Sequence, residues 1–319
     1  MKLTHLRDVA VIAERGSLRA AARALGVSQP AITRSIRELE HELGVVLFER
    51  QPRGVVLTPM GELFLRRAGT IQTELRRARE EIEQAKGHLT GSVTVALSTV
   101  PHIALLPWAL RQFQNRFPEL FVRILEGMFP SIEGGLKDGS IDFYVGPLSE
   151  SPPSKEFTVE KLFDNTRVIF GRKGHPLAQA TSLRELAKAR WITTSVTSIR
   201  EAELHALFER HGLPRPKIQA QASSALTMIM AAASSDLLMM LPCQWLEFPS
   251  MLSMLQSFDL QETLPAPPVC IAHSARLPLT PAAEFFCDQM RRSAKHYLAT
   301  QSPTPPLRAA THGLRAAGR

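Results

Sequence analysis

The chain has 319 residues, of which 44% are hydrophobic and 21% charged, and its formal net charge is +8. This length predicts two or three domains, and the lack of an apolar run of about 18 residues argues against a membrane-spanning helix. No apolar signal segment follows Met1, and the cysteines Cys243, Cys270 and Cys287 lie far apart. These features predict buried thiols in a reducing cytoplasm, without disulfides, metal or cofactor.

The basic residues concentrate at the two ends of the chain. Residues 1–90 hold 15 basic and 11 acidic side chains, and residues 299–319 hold three arginines and no acid. The basic N-terminal part favours contact with an acidic partner such as a phosphate backbone. The C-terminal part, rich in Pro, Ser and Thr, is predicted to be a disordered, solvated tail.

Three short helices are predicted near the N-terminus. Gly16 ends the first, Ser17 caps a second that Gly26 closes, and Ser28 caps a third that Gly44 terminates. Their periodicity predicts an inward face made of Leu3, Leu6, Val9, Ala10 and Ala13 in the first helix and Ile32, Ile36, Leu39 and Leu43 in the third. Two short helices joined by a tight turn indicate a helix-turn-helix.

The outward face of the third helix carries side chains that suit base edges. Gln29 can bond adenine, and Arg34 and Arg37 can bond guanine. Thr33 adds a hydroxyl for polar atoms and a methyl group for thymine. A three-helix scaffold with solvated charges is the alternative interpretation.

A small hairpin, or wing, is predicted over residues 46–57. Its tip carries Arg50 and Arg53, where both can contact phosphates or a minor groove. The predicted DNA-binding residues are Ser28, Gln29, Pro30, Thr33, Arg34, Arg50, Arg53 and Thr58.

Six segments between residues 16 and 61 form one extended pattern. They are residues 16–25 (GSLRAAARAL), 28–33 (SQPAIT), 36–40 (IRELE), 43–44 (LG), 47–50 (LFER) and 57–61 (LTPMG). This pattern resembles the LysR-type transcriptional regulators. The resemblance implies that Gln29, Pro30, Thr33 and Arg34 enter the major groove, with Arg50 and Arg53 in the wing. Thr33 stands where the family more often has serine, and it keeps the hydroxyl.

A long linker helix is predicted over residues 59–90, with Thr58 as its cap and Pro59 in its first turn. An apolar seam alternates steps of four and three through Phe64, Ala68, Ile71, Leu75, Ala78, Ile82, Ala85 and Leu89. The seam favours a coiled-coil dimer, the alternative being a helix packed on its own domain. A dimer would place two recognition helices on half-sites about one DNA turn, or a multiple, apart. The family resemblance further implies a homotetramer on a long, roughly palindromic operator.

Strands and helices alternate in the remainder of the chain, which predicts α/β architecture with a parallel sheet between helices. The predicted strands are residues 93–97, 121–125, 141–145, 168–170, 191–193, 218–222, 237–241 and 269–272. The predicted helices are residues 104–117, 131–137, 183–187, 201–211, 225–233 and 281–298. Two lobes with chain crossovers near residues 163 and 266 are expected, with a ligand cleft between them.

The sequence therefore divides into a DNA-binding domain, a linker helix, two lobes and a tail. The predicted bounds are 1–58 for the winged helix-turn-helix, 59–90 for the linker, 91–163 and 267–298 for lobe I, 164–266 for lobe II, and 299–319 for the tail. The LysR resemblance implies the same two-lobed arrangement, similar to periplasmic binding proteins, with an effector in the cleft.

Polar groups that directly follow strands are the candidates for contact with this effector. The predicted effector-binding residues are Ser98, Thr99, Val100, Pro101, Met128, Phe129, Thr194 and Ser195. Helix capping is the alternative role for the hydroxyls. The apolar neighbours predict a small aromatic or partly apolar anion, and residues 92–143 resemble regulators of aromatic-sulfonate or aromatic-amide breakdown.

No catalytic constellation is found. Ser98 and His102 could be imagined as nucleophile and base, but they lie one helical turn apart and no G-x-S-x-G elbow surrounds the serine. A regulator that binds duplex operator DNA, an effector and further copies of itself is therefore predicted, with RNA polymerase as a further candidate partner. An effector-independent architectural DNA protein and an enzyme fused to a DNA-binding domain are the alternatives.

Overall fold

The computed structural model describes residues 1–52, 54–87, 90–148, 154–194 and 199–300. The helices are α1 (Leu3–Arg15), α2 (Leu18–Leu25), α3 (Gln29–Leu43), α4 (Pro59–Ala85), α5 (Thr99–Ala104), α6 (Leu106–Arg116), α7 (Glu133–Asp138), α8 (Ile199–Arg210), α9 (Ala225–Ala233), α10 (Pro249–Met254) and α11 (Pro281–Thr300). The strands are β1 (Phe48–Gln51), β2 (Gly54–Leu57), β3 (Ser92–Leu97), β4 (Phe121–Glu126), β5 (Phe143–Pro147), β6 (Phe157–Arg172), β7 (Arg190–Thr194), β8 (Lys217–Ala222), β9 (Leu237–Pro242), β10 (Leu255–Ser257) and β11 (Pro265–Ser274). Among the predicted features, Arg53, Leu89, Ser195 and residues 301–319 lie outside the described residues.

Helices α1–α3 and the β1–β2 hairpin enclose one small core. Ser17 and Ser28 accept backbone N–H bonds in the first turns of α2 and α3, as predicted. Ile12 occupies an inward position of α1, whereas Leu3 and Leu43 are exposed, so their assignment to the buried face was wrong. Both lie in a terminal turn of their helix, where the helix extends past the core.

Helix α4 starts at this core and continues to lobe I. Phe64, assigned to the dimer seam, instead packs with the core of α1–α3, and Ala68, also assigned to the seam, is buried within the single chain. The seam that faces outward begins with Ile71 and continues through Leu75 and Ile82, which are 41%, 37% and 55% exposed. Three large apolar side chains at heptad spacing thus lie uncovered in a single chain.

The opposite face of α4 is fixed to lobe I by a buried ion pair. Arg77 Nη2 donates to Asp142 Oδ1 at 2.7 Å, and Asp142 Oδ2 accepts from the Thr94 amide at 2.8 Å. Gln84 adds a bond from the Ala282 amide at 3.1 Å. Burial raises the pKa of the Asp142 carboxyl although Arg77 and the Thr94 amide act to lower it.

A sheet of nine strands runs through both lobes in the order β4-β3-β5-β11-β6-β9-β7-β8, with β10 pairing β6 outside this path. Strands β3, β4 and β5 are parallel, as are β7, β8 and β9. The prediction of a parallel sheet was incomplete, because β11 pairs antiparallel with both β5 and β6.

Strands β6 and β11 join the lobes. The first part of β6 pairs with β11, and its last part pairs with β9 at residues 167–170. The β6–β11 ladder is irregular between Ala266 and Val269, close to the predicted crossover. Only residues 168–170 of the 16-residue β6 were predicted as strand.

Two predicted helices differ in the structure. The helix expected over 104–117 is α6, which begins two residues later than predicted because a separate short helix, α5, precedes it and the two meet at Leu105 ahead of Pro107. Residues 183–187 form turns instead of a helix. Within the residues that the structure describes, no helix is long and apolar enough to cross a membrane.

Candidate functional site

The outward face of α3 forms the first candidate site. Gln29, Arg34 and Arg37 are exposed and, with Thr33, line a shallow groove along the helix. The Thr33 hydroxyl donates to the Gln29 carbonyl at 2.9 Å, so toward a further partner it can act only as a hydrogen-bond acceptor. Pro30 lies in the same groove, and Ser28 is exposed beside it. The structure therefore brings the helix residues of the predicted DNA contact together.

The wing is fixed to the rest of the domain by its own backbone. The Val55 amide donates to the Gly16 carbonyl at 2.9 Å. Gly54 has a φ of +146°, and a Cβ there would lie 2.2 Å from the Gly16 oxygen, so this close approach requires glycine. Arg50 is exposed on β1. The position of one wing arginine is thus set by a rigid hairpin.

Thr58 is the exception among the predicted DNA contacts. Its hydroxyl donates to the Val46 carbonyl at 2.7 Å and accepts from the Gly61 amide at 3.0 Å. The residue is buried. Because the side chain joins the hairpin to the start of α4, its assignment to the DNA surface was wrong.

A cavity of about 220 Å³ between the two lobes forms the second candidate site. It collects residues from both lobes and from the crossing strands β6 and β11. The predicted residues in its lining are Ser98, Thr99, Val100, Met128 and Thr194. Strand β3 ends directly before the first three of them, and Thr194 ends β7.

Two hydroxyls in this lining are buried without a hydrogen-bond partner among the described residues. They are Ser98 Oγ and Thr193 Oγ1, in residues 4% and 6% exposed. The Ser98 side chain does not cap α5, so the capping alternative was wrong for this residue. A buried hydroxyl left unpaired is costly, which makes both groups available donors for a ligand in the cavity.

Two predicted contacts lie outside the lining. Pro101 is buried within α5. The Phe129 ring packs edge-on against Tyr144 and Phe157, with centroids 5.3 and 5.6 Å apart. Both assignments require correction: Pro101 is covered by its own helix, and the chain turns after Met128 so that the Phe129 ring packs against the core of lobe I.

The most polar part of the lining, on β6, was not predicted from the sequence. Arg167, whose side chain is 5% exposed, donates to Glu203 of α8 at 2.7 Å. Asn165 Oδ1 accepts from Gln244 Nε2 at 3.0 Å. A charged residue close to the predicted crossover at 163 was the available signal, but the strand prediction began after it.

The geometry does not assemble the imagined nucleophile and base. His102 Nδ1 donates to the Ser98 carbonyl at 2.7 Å, and the Ser98 hydroxyl makes no bond to the ring. In the part of the chain that the structure describes, no three His, Cys, Asp or Glu side chains form a group able to hold a metal ion. What the cavity offers is hydroxyl donors over an apolar floor that includes Ile192, Met228 and Met240.

Comparison with known proteins identifies the family of both parts of the chain. Residues 3–62 match the bacterial regulatory helix-turn-helix protein model of the lysR family, and residues 86–295 match the LysR substrate binding domain. The HTH-type transcriptional regulator TdcA of Escherichia coli K12 is 27% identical over 264 residues, covering 83% of this chain and 84% of TdcA. PcaQ of Agrobacterium fabrum is 34% identical over 177 residues, covering 56% and 57% of the two chains.

Solved structures share the fold over nearly the whole chain. Full-length CbnR in complex with its target DNA superposes with a TM-score of 0.70 at 23% identity, covering 92% of this chain and all of CbnR. A full-length OxyR variant of Pseudomonas aeruginosa gives a TM-score of 0.66 at 24% identity and covers 91% and 95% of the two chains. The chain belongs to the LysR family of transcription regulators, which bind operator DNA as oligomers and respond to small-molecule effectors without being enzymes.

Proposed function

We propose that this regulator binds operator DNA through Gln29, Thr33 and Arg34 on α3, with Arg50 and Arg53 on the wing. The effector is a small, single-ring molecule with a carboxylate, sulfonate or amide oxygen. It lies in the cavity between the lobes and accepts hydrogen bonds from Ser98 and Thr193. The observation that carries the effector proposal is the pair of unpartnered buried hydroxyls in the cavity lining.

The cavity size supports a ligand of this kind. An apolar cavity of about 150 Å³ holds one benzene molecule, and the present cavity of about 220 Å³ leaves room for one polar substituent. Met228, Met240 and Ile192 supply apolar and polarisable contacts for a ring. A breakdown intermediate of an aromatic sulfonate or amide fits this description.

Effector binding would act on the DNA-binding domains through the crossing strands. Arg77 and Asp142 hold α4 to lobe I, so movement of lobe II about β6 and β11 changes where lobe II lies relative to α4. An effector with unequal affinity for two lobe arrangements shifts their populations.

The exposed seam of Ile71, Leu75 and Ile82 pairs two chains, and two such dimers form a tetramer. We place the protein in the cytoplasm, where bacterial operator DNA lies.

We divide the chain between these roles at the predicted bounds. The DNA-binding domain ends at residue 58 and the linker at 90, lobe II spans 164–266, and lobe I takes the segments on either side of it. The capped start of α4 and the crossing of β6 and β11 between lobes support this division.

Thermal denaturation of the full-length protein against benzamide, a neutral single-ring amide, tests the effector site. A ligand at about 100 times its dissociation constant adds about 2.7 kcal/mol to the stability of the native state. The shift in Tm should disappear in Ser98→Ala and Thr193→Val and persist in Thr158→Val, which changes an exposed threonine of β6. A shift that survives both cavity substitutions would overturn the proposal.

A further inference from the structure

A second cavity of about 220 Å³ adjoins the effector cavity. The two share Arg167, Met240, Ala266 and Pro267 in their walls. On its far side, the second cavity continues to the surface past Leu207, Arg210 and Pro265. We call it the outer cavity. Neither hydroxyl assigned to the effector reaches it, and no sequence motif indicated it.

One face of α8 forms a wall of the outer cavity. Glu203, Ala206, Leu207 and Arg210 follow the i, i+3, i+4, i+7 spacing that places side chains on one helical face. The opposite wall comes from residues 265–267 at the start of β11, including two prolines that have no N–H donor. The cavity is therefore a mostly apolar slot with charged groups on α8 and β6.

The charges in this slot are unequal. Arg167 is buried at the inner end and pairs with Glu203 at 2.7 Å. Arg210 lies about two turns beyond Glu203 along α8, is exposed, and directs Nε to the Ala206 carbonyl at 3.3 Å. Among the described residues, the lining thus holds two guanidinium groups and one carboxylate. A guanidinium fork is well matched to a carboxylate ligand, and the apolar walls reduce the competition from water.

We infer that the outer cavity is a second ligand site, for a small carboxylate with an apolar body. The carboxylate lies between Arg167 and Arg210, where it competes with Glu203, and the body packs on Leu207, Met240 and Pro267. Since Arg167 and the crossing strand β11 border both cavities, a ligand here changes effector affinity, and the effector changes its affinity by the same factor. The binding itself does not depend on the proposed effector.

Titration calorimetry of the full-length protein with benzoate at fixed ionic strength tests this site. Arg210→Gln should weaken the outer-site affinity about tenfold, as loss of one charged hydrogen bond does. Glu203→Gln should raise it severalfold, because the competing carboxylate is gone. Arg215→Gln is the matched control, since Arg215 is exposed nearby and pairs with Glu209 outside the cavity. An unchanged Tm of each free variant shows that it folds.

Thr193→Val separates this inference from the effector proposal. A benzoate site that responds to Arg210→Gln and Glu203→Gln but not to Thr193→Val supports the outer site, with or without a second site that responds to Thr193→Val. If benzoate does not bind, or binds with an affinity that only Thr193→Val changes, the outer cavity is not a carboxylate site.

Discussion

The DNA-binding face and the effector cavity are built in opposite ways. On α3 the binding groups point outward from a helix that Ile32, Ile36 and Leu39 hold by its other face. In the cavity the binding groups point inward and come from strands and helices scattered along the chain. One site is a single continuous segment, and the other exists only after the whole α/β region has folded.

On the α3 face, a substitution can change DNA binding without changing the stability of the fold. In the effector cavity, a substitution changes both ligand binding and stability. Exposed side chains on α3 can change with little effect on the core. The Ser98 and Thr193 hydroxyls instead are buried with no hydrogen-bond partner among the described residues, at a cost of about 1–3 kcal/mol for each such group. These two hydroxyls weaken the ligand-free fold, and we explain their presence by the hydrogen bonds that they donate to a bound effector.

The largest effect is expected at the joint between the two regions, the Arg77–Asp142 pair. Asp142→Asn keeps the size of the side chain but leaves the buried guanidinium without its main counter-charge. We expect a loss of about 3–5 kcal/mol, measured as a lower midpoint of thermal unfolding. Arg77→Met combined with Asp142→Asn should cost less than Asp142→Asn alone, because no buried charge then lacks a partner.

Burial raises the pKa of Asp142 and so disfavours its own charge, and the expected loss therefore comes from the Arg77 charge that Asp142→Asn leaves buried without this partner. Glu160→Gln is the control: Glu160 accepts from Arg291 at the same 2.7 Å, but on the surface. Exposed pairs contribute about 0–1 kcal/mol. Equal losses in Asp142→Asn and Glu160→Gln would show that burial of the joint is unimportant.

At the DNA-binding face, Gln29→Ala should change recognition without changing stability. We expect discrimination between an operator selected from random DNA and unrelated DNA to fall by about 1–3 kcal/mol, the value of one bidentate base contact. Competition anisotropy at one salt concentration measures this difference.

His41→Ala is the control for that experiment, because His41 lies in the same groove but in the last turn of α3. Recognition helices contact bases mainly through their N-terminal residues. If the two variants lose the same discrimination, Gln29 makes no specific base contact. A lower Tm in Gln29→Ala would contradict the independence of this face from the core.

Thr58→Val tests the reassignment of a residue from the DNA surface to the fold. The hydroxyl that it removes makes two backbone hydrogen bonds, so we expect a loss of about 1–2 kcal/mol. Thermal unfolding measures the loss, and Thr58→Ser should restore most of it. Affinity for nonspecific DNA should be unchanged, and a selective loss of that affinity would return Thr58 to the DNA contacts.

The same contrast explains what the sequence could predict. The α3 site lies within one segment, where capping serines, terminal glycines and helical spacing give its boundaries and its outward face. Thr58 was misassigned because capping and phosphate contact require the same kind of side chain. The local sequence pattern therefore predicted that Thr58 starts α4, but it did not predict which groups the Thr58 hydroxyl would bond.

The cavity was predicted only in part, because its residues meet through long-range pairing. Ser98 and Met128 follow strands that are apolar enough to recognise. Arg167 lies in the middle of β6, whose charged and polar residues 164–167 conceal the strand. Phe129 was assigned to the ligand because an aromatic ring suits both a cavity and a core, and only tertiary packing distinguishes the two.

The smallest effect is expected at Thr193, and its sign is the sharpest test of the comparison between the two sites. Valine has nearly the shape of threonine, and Thr193→Val removes a buried hydroxyl that no described residue satisfies. The ligand-free variant should therefore be more stable than the native protein by about 1 kcal/mol, a rise of about 2–4 °C in Tm. Thr58→Val, the same substitution at a satisfied hydroxyl, should move Tm in the other direction. If Thr193→Val also lowers Tm, the Thr193 hydroxyl has a hydrogen-bond partner in the ligand-free protein. An effector would then gain no stability by pairing with it.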